Sequence, residues 1–251
     1  MEEKHLKKHP YCTTKYVLFT VLFTALVFLV AFIASSFQPP HSSAEETNIE
    51  KTSKFPTIII DAGHGGEDGG TSGAGVLEKD LNLLVSRDLA DMLRCAGFDV
   101  VMTREDDRLL YDPSSDYKGR KKQLDLAERL RIGESFDEAI FISIHMNSFP
   151  DSKYRGLQVY FSPNDPASRE LAECIQSSVC ENFQTDNKRT VKQATSRIFI
   201  LNQITKPAVL VECAFLSNSE ECQLISTEEY RKKLTFCIFS GVCGFISENS
   251  Y

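Results

Sequence analysis

Imidazole and carboxylate side chains follow several short apolar runs of this sequence. Asp61 and His64 come after the run TIII. His145 directly follows AIFISI, Glu212 directly follows AVLV, and Glu78 begins a leucine-rich segment. Two neutral imidazoles and one carboxylate are a frequent ligand set of catalytic zinc, and a further carboxylate beside them can transfer protons. The residue types and their positions therefore indicate a zinc site with a free acid beside it.

The glycine-rich stretch PTIIIDAGHGGEDGG, residues 56–70, could also be a phosphate-binding loop. A dinucleotide fingerprint G-x-G-x-x-G that starts at Gly63 has Asp68 at the position of its third glycine. A P-loop that starts at Gly70 has Val76 and Leu77 where lysine and serine or threonine are required. Both nucleotide-binding interpretations fail. The glycines instead allow the chain to turn tightly beside a metal.

The elements that would position these residues alternate along the chain. Apolar runs predict strands over residues 57–60, 98–103, 139–144, 157–161, 198–201 and 208–211. Leucine and valine at helical spacing, or an amphipathic pattern, predict helices over residues 78–95, 120–132, 167–183 and 228–246. Such alternation predicts an α/β fold with a mostly parallel sheet. Ligands collect beyond the carboxyl ends of parallel strands, where the candidate site residues lie.

The N-terminus carries a membrane signal. Residues 16–37 contain no charged side chain and match the roughly 20 residues that cross a bilayer. Residues 1–15 contain four lysines, which predicts a cytoplasmic basic tail and an extracytoplasmic remainder. We expect a single-pass anchor in the cell membrane. The alternative is a cleaved signal peptide and a secreted protein.

A flexible linker is expected over residues 38–54, which are rich in proline, serine and glutamate, and a single domain over residues 55–251. The formal net charge of −7 argues against a nucleic-acid-binding protein, which normally has a basic stripe. None of the eight cysteines forms a CxxC pair, so zinc-ribbon and thioredoxin-like motifs are absent. We expect mostly reduced, buried thiols, with a disulfide as the alternative.

Four segments together resemble a known enzyme family. IIIDAGHGGEDGG, LEKDLNL, SIHMNS and PAVLVECAFLSN are similar to the successive motifs of the zinc-dependent N-acetylmuramoyl-L-alanine amidases, in the same order. The resemblance implies a catalytic domain at 55–251, with a single twisted sheet flanked by helices. It also implies zinc ligation by His64, Glu78 and His145, with Glu212 as the catalytic acid and base.

Other residues are assigned less directly. Asp61 is expected to orient a ligand imidazole, and Asn147 and Arg197 to line the substrate groove. Glu78, taken alone, could instead be a first-turn acid favoured by the helix dipole. Arg104 and Arg129 are expected to be solvated charges or charges that brace the fold.

The resemblance implies hydrolysis of the amide bond between N-acetylmuramic acid and L-alanine in peptidoglycan glycan strands that carry stem peptides. YKGRKKQLDLAERL and NQITKPAVLVE resemble the sporulation subgroup. That likeness implies that a deacetylase converts the product into muramic-δ-lactam in spore cortex, and that an activating lipoprotein is a possible partner. Two alternatives stay open at this point: a catalytically idle, metal-stapled wall-binding module, and a zinc peptidase that cuts within the stem peptide.

Overall fold

The computed structural model describes residues 23–26, 28–29, 55–112, 114 and 118–249. The chain divides into two units, Met1–Thr52 and Ser53–Tyr251. In the first unit, residues 23–26 and 28–29 are helical. Within the described ranges, no helix combines the length and the apolar character needed to cross a membrane. Most of the predicted anchor, residues 16–37, lies outside those ranges.

A six-stranded sheet forms the centre of the second unit, in the order β4-β1-β5-β8-β6-β7. The strands β4, β1, β5 and β8 run parallel, β6 is antiparallel to β8, and β7 is parallel to β6. A short hairpin of β2 and β3 lies apart from this sheet. The strands are β1 (Thr57–Ala62), β2 (Ser72–Gly73), β3 (Val76–Leu77), β4 (Val100–Met102), β5 (Ala139–Asn147), β6 (Gln158–Phe161), β7 (Lys192–Gln193) and β8 (Ala208–Phe215). The predicted mostly parallel sheet is confirmed.

Helices cover both faces of the sheet. They are α1 (Glu78–Cys95), α2 (Lys121–Glu134), α3 (Ala167–Asn182), α4 (Phe199–Gln203), α5 (Ser219–Ser226) and α6 (Glu228–Glu248). The larger core packs α1, α3 and α6 against one face, and includes Ile58, Val85 and Val211. A smaller core packs α2 and α4 against the other face, and includes Ile59 and Leu201. The parallel strands are buried on both faces, which explains why their sequences are continuous apolar runs.

The local sequence of helix α1 explains which face is buried and where the helix ends. Its buried residues recur at helical spacing, among them Leu81, Val85 and Leu89. The helix ends before Gly97, which adopts a φ of 92°. This left-handed conformation suits glycine, and the Phe98 N–H donates back to Leu93 O at 3.1 Å. The predicted bounds of this helix are confirmed.

The predicted strand over residues 198–201 is wrong. That segment begins helix α4 (Phe199–Gln203), and the Ile204 N–H donates to Ile200 O at 2.9 Å. A four-residue apolar run fits a buried strand and a short buried helix equally well. A second correction concerns strand ends, because Asp61, His145 and Glu212 lie within β1, β5 and β8 rather than after them.

The cysteines of the described part have free thiols, as expected. Cys213, Cys222 and Cys237 are buried, and Cys95 is exposed. Burial raises the pKa of the Cys213 thiol well above its usual value. The three buried cysteines therefore act as small apolar residues in the core.

Candidate metal centre

Three potential metal ligands meet at the carboxyl edge of the sheet. His64 follows β1, Glu78 is the first residue of α1, and His145 lies in β5. One ligand atom from each lies within 4.8 Å of the others. Glu78 Oε1 is 3.3 Å from His64 Nε2 and 2.9 Å from His145 Nδ1. The structure thus brings together the three residues that the sequence predicts as zinc ligands.

The Glu78 carboxylate is fixed by main-chain donors. Glu78 is 3% exposed. Its Oε2 accepts a hydrogen bond from the Thr71 N–H (2.8 Å), and its Oε1 accepts one from the Met146 N–H (3.1 Å). Burial alone would raise the pKa of this carboxyl, but hydrogen bonds to His145 and His64 hold the pKa far below its usual value. The Glu78 side chain is therefore ionised, and its Oε1 faces the imidazoles of His64 and His145.

The loop between β1 and α1 leaves room for these side chains only because of its glycines. A Cβ at Gly63 would clash with Cε1 and Nε2 of the His145 ring. A Cβ at Gly70 would lie 2.9 Å from Glu78 Cδ, and Gly70 also has a φ of 68°. The close approach of backbone to ligand side chain therefore requires glycine at both positions.

Two buried arginines hold the carbonyls of this loop. Arg129 donates to Ala62 O (2.7 Å) and His64 O (2.7 Å), and Arg104 donates to Ala62 O (2.8 Å) and Gly63 O (3.0 Å). Each arginine is 1% exposed. Of the two expected alternatives, solvated or fold-bracing, the structure shows the second.

The hydrogen bonds of Asp61 go to residues other than the ligand histidines, so its expected role in orienting a ligand imidazole stays a prediction. Its carboxylate accepts hydrogen bonds from Thr103 Oγ1 (2.8 Å), Ser143 Oγ (2.6 Å) and Arg129 Nη1 (2.6 Å). β1 places Asp61 next to Ser143 of β5, its register partner. Asp61 therefore acts on the site through Arg129, which in turn holds the His64 carbonyl.

Asp68 is the acid that lies against a candidate ligand ring, and the sequence did not assign it this role. Its Oδ2 is 3.0 Å from His64 Nδ1 and 3.4 Å from Lys122 Nζ. Burial would lower the pKa of His64, but Glu78 and Asp68 together raise it. A carboxylate on the outer nitrogen of a ligand histidine fixes its orientation and tautomer. In the sequence, the only indication of this contact was that Asp68 lies four residues after His64.

Glu212 stands beside the cluster without a hydrogen-bond partner for one oxygen. It is the register partner of His145 across β5 and β8. Its Oε2 is buried and has no partner among the described residues. Burial raises the pKa of Glu212 to about 7, with His145 acting in the opposite direction. A buried, unpartnered carboxylate is costly unless another group uses it.

The two predicted groove residues have different surroundings. Asn147 ends β5 and is half-buried, and its main-chain carbonyl accepts from the Leu216 N–H at 2.8 Å. Arg197 is exposed and lines a cavity of about 210 Å³ together with His64 and His145. The exposed ring of Phe199 lines the same cavity.

The donor set fits a zinc ion. Two imidazole nitrogens and one carboxylate are a known catalytic zinc ligand set that leaves one position open. The three donors converge, and the orphaned Glu212 oxygen lies beside them. His64, Glu78 and His145 would hold the ion, which would supply Lewis acidity at this edge of the sheet.

The fold and the donor cluster define an α/β protein with a candidate metal-binding site at the carboxyl edge of its sheet. The sequence profile of the N-acetylmuramoyl-L-alanine amidases matches residues 58–243, so the chain belongs to this family. The match spans the three candidate ligands and Glu212. Membership of this enzyme family confirms the resemblance drawn from the four sequence motifs.

Particular relatives are similar over most of the chain. The germination-specific N-acetylmuramoyl-L-alanine amidase of Bacillus subtilis is 30% identical over 234 residues, covering 93% of this chain and 95% of that protein. The CwlD amidase of Clostridioides difficile, solved in complex with the GerS lipoprotein, has a TM-score of 0.73 and 36% identity over 77% of this chain and 99% of that one. The AmiC2 amidase of Nostoc punctiforme has a TM-score of 0.64 and 28% identity over 76% of this chain and 97% of that one.

Proposed function

We propose that this chain hydrolyses the amide bond between N-acetylmuramic acid and L-alanine in peptidoglycan, with zinc held by His64, Glu78 and His145. One observation carries the proposal: the three donor atoms converge within 4.8 Å, and Glu212, the register partner of His145, has a buried Oε2 without a hydrogen-bond partner among the described residues. This is a metal-ligand set together with a free acid, as amide hydrolysis needs. Family membership supplies the bond that is cleaved.

In this proposal, each side chain of the metal centre has a separate role. A zinc ion bound by the three ligands supplies Lewis acidity to the scissile carbonyl and to the attacking water. Main-chain donors keep the Glu78 carboxylate in place, and Asp68 orients the ring of His64. Gly63 lets the His145 ring lie directly against the backbone. These residues fix geometry before substrate arrives.

Glu212 is the proton carrier in this proposal. It accepts a proton from the attacking water and delivers it to the L-alanine nitrogen as the C–N bond breaks, so that the amine leaves in neutral form. Burial that raises the pKa of Glu212 to about 7 lets the same carboxyl accept and return a proton near neutral pH.

The cavity beside His64 would receive the substrate. Arg197 and Lys122 line it as cations, and Phe199 and Leu126 line it as apolar side chains. Asp68 also lines the cavity and lies 3.4 Å from Lys122 Nζ, so the exposed Arg197 is the cation proposed to meet a stem-peptide carboxylate. Asn147 ends the strand that carries His145 and remains a proposed groove residue.

Glu212→Gln tests the assignment. Glutamine keeps the size of the side chain but transfers no proton, so we expect release of stem peptide from peptidoglycan to fall about 100-fold or more. The readout is the appearance of free L-alanine amino groups, with bound zinc measured in parallel and expected to be unchanged. Glu181→Gln, an exposed glutamate of α3, is the control.

Each alternative gives a different result in this experiment. An idle wall-binding module would release no stem peptide in either form, and Glu212→Gln would leave its wall binding unchanged. A zinc peptidase would produce fragments cut within the stem peptide, which mass spectrometry distinguishes from intact stems. Either result would contradict the amidase assignment.

We propose further that the enzyme acts in spore cortex, where a deacetylase closes muramic-δ-lactam on its product. What supports this role is the similarity to the germination-specific amidase and to CwlD. The CwlD structure contains a lipoprotein, which supports a lipoprotein as a possible activating partner here. Residues 16–37 are proposed to anchor the chain in the cell membrane, with the catalytic domain outside, or to direct its secretion if they are cleaved.

A further inference from the structure

Arg104 is a buried cation that hydrogen-bonds to main-chain carbonyls from several segments. It is 1% exposed. Its Nε donates to Ala62 O (2.8 Å), and its Nη2 donates to Gly63 O (3.0 Å) and Lys79 O (2.8 Å). Its Nη1 donates to Asp106 O (3.0 Å). One guanidinium thus joins three stretches of chain that are far apart in sequence.

Two of these carbonyls belong to neighbours of candidate metal ligands. Gly63 immediately precedes His64, and Lys79 immediately follows Glu78. A single nitrogen, Arg104 Nη2, holds both carbonyls. It therefore connects the loop after β1 to the first turn of α1. The separation of these two segments sets the separation of the imidazole from the carboxylate.

Stability alone explains Arg104 poorly. Burial lowers the pKa of its guanidinium, and the neighbouring charge of Arg129 lowers it further. Replacing buried charged groups by well-packed apolar side chains is often neutral or even stabilising, so a buried charge is weak evidence of a stabilising role. What the planar guanidinium supplies instead is fixed donor geometry, which an apolar side chain or an ammonium group lacks.

Asn82 donates to the same carbonyl, Gly63 O. It is 0% exposed on α1, one turn after Glu78. Its Nδ2 donates to Gly63 O at 3.0 Å and lies 3.4 Å from Glu78 Oε1. Arg104 and Asn82 therefore converge on Gly63 O, and each also contacts the segment that carries Glu78.

We propose that Arg104 is a positioning residue of the metal centre, and that together with Asn82 it fixes the separation of His64 from Glu78 and thereby sets zinc affinity. The inference rests on the proposed function, in which His64 and Glu78 both hold zinc. It predicts that loss of the guanidinium geometry weakens zinc binding even where the fold survives.

The test compares Zn²⁺ affinity of the full-length wild type and Arg104→Lys in detergent, by competition with a chromogenic chelator. Lysine keeps the charge, but its shorter side chain ends near the position of the arginine Cζ and lacks the planar fork, so its ammonium cannot reach Gly63 O and Lys79 O as Nη2 does. Zinc affinity is expected to fall about 10–100-fold, the usual effect of losing support behind a ligand. Unchanged zinc affinity in folded Arg104→Lys protein would overturn the inference.

A matched control separates positioning from general loss of stability. Arg231 Nη1 also donates to main-chain carbonyls, Ile225 O (3.1 Å) and Ser226 O (2.7 Å), at the start of α6. Arg231→Lys is expected to lower the melting temperature of the metal-free protein and to leave zinc affinity unchanged. An equal loss of zinc affinity in both variants would also overturn the inference.

If Arg104→Lys fails to fold, Asn82→Ala decides the question. This variant removes the second donor to Gly63 O and should reduce zinc affinity toward the lower end of the same range, about 10-fold. Ser86→Ala, a buried position one turn further along α1, is the control and should bind zinc as the wild type does. Wild-type affinity in folded Asn82→Ala protein, or its failure to differ from Ser86→Ala, contradicts the inference.

The proposed function and this inference fail in different ways. Zinc binding that depends on Arg104, in a chain that releases no stem peptide, refutes the amidase assignment and leaves the positioning role intact. Amide hydrolysis that is normal in Arg104→Lys, with normal zinc affinity, refutes only the positioning role. A wild-type chain that binds no zinc contradicts both.

Discussion

His64 occupies a backbone conformation that few residues other than glycine adopt, with a φ of 61°. Such strain costs about 1–3 kcal/mol and persists only where the surroundings hold it. The surroundings here are specific: Arg129 Nη2 donates to His64 O (2.7 Å), and Gly65 and Asp68 exchange two main-chain hydrogen bonds of 3.0 Å. The result is that the two ring nitrogens of His64 face Glu78 and Asp68.

Gly63→Ala tests how tightly this loop fits the centre. The new Cβ would overlap the His145 ring, so the ring must move and zinc affinity should fall about 10-fold or more. Gly69→Ala is the control from the same loop, because a Cβ there meets only the Leu77 side chain at 3.7 Å and 3.9 Å. Chelator competition measures both. Equal zinc affinities in the two variants would show that the contact with His145 is unimportant.

At the scale of elements, a buried ion-pair cluster fastens α2 to β1. Arg129 on α2 is 2.6 Å from Asp61 Oδ1 and 2.8 Å from Asp125 Oδ2. Burial would raise the pKa of Asp61, but the charge of Arg129 and the hydroxyls of Ser143 and Thr103 hold it below its usual 3.8. The folded state therefore favours the ionised carboxyl.

This shift predicts how stability depends on pH. Because the folded-state pKa of Asp61 is depressed, its contribution is fully present above about pH 4 and is lost as pH falls through the lower folded-state value. Asp61→Asn should cost about 3–5 kcal/mol of unfolding free energy at pH 7, and less as the solution becomes more acid. Denaturant unfolding with chelator present measures this. Asp151→Asn, a control that breaks only an exposed pair with Lys153, should change the free energy of unfolding far less. A difference between Asp61→Asn and wild type that is constant with pH would refute the prediction.

Elements with strong patterns were predictable, and tertiary contacts were not. The apolar runs of β1, β5 and β8 predicted the parallel strands of the sheet. The rule that ligands bind at the carboxyl ends of parallel strands then predicted where the metal ligands meet. Helix α4 was missed because its run is too short to show a period. Asp68 and Asn82 were missed, and the particular partners of Arg104 were not predicted, because a polar side chain in a loop or helix gives no sign in the sequence of what it will contact. Their contacts reach chain segments up to 42 residues away, as for Arg104 and Ala62.

At the scale of the whole molecule, the enzyme and its substrate must meet outside the membrane. Residues 1–37 supply the basic tail and apolar run proposed to achieve this. In a spore former lacking its own cortex amidase, the full chain should restore muramic-δ-lactam to the cortex, whereas a chain without residues 1–37 should not, because it stays in the cytoplasm. Fusing a cleavable signal peptide to residues 38–251 is the control: restored lactam shows that export suffices, and its absence shows that anchoring is needed as well. Lactam formed by the truncated chain alone, without any export signal, would contradict the proposed location.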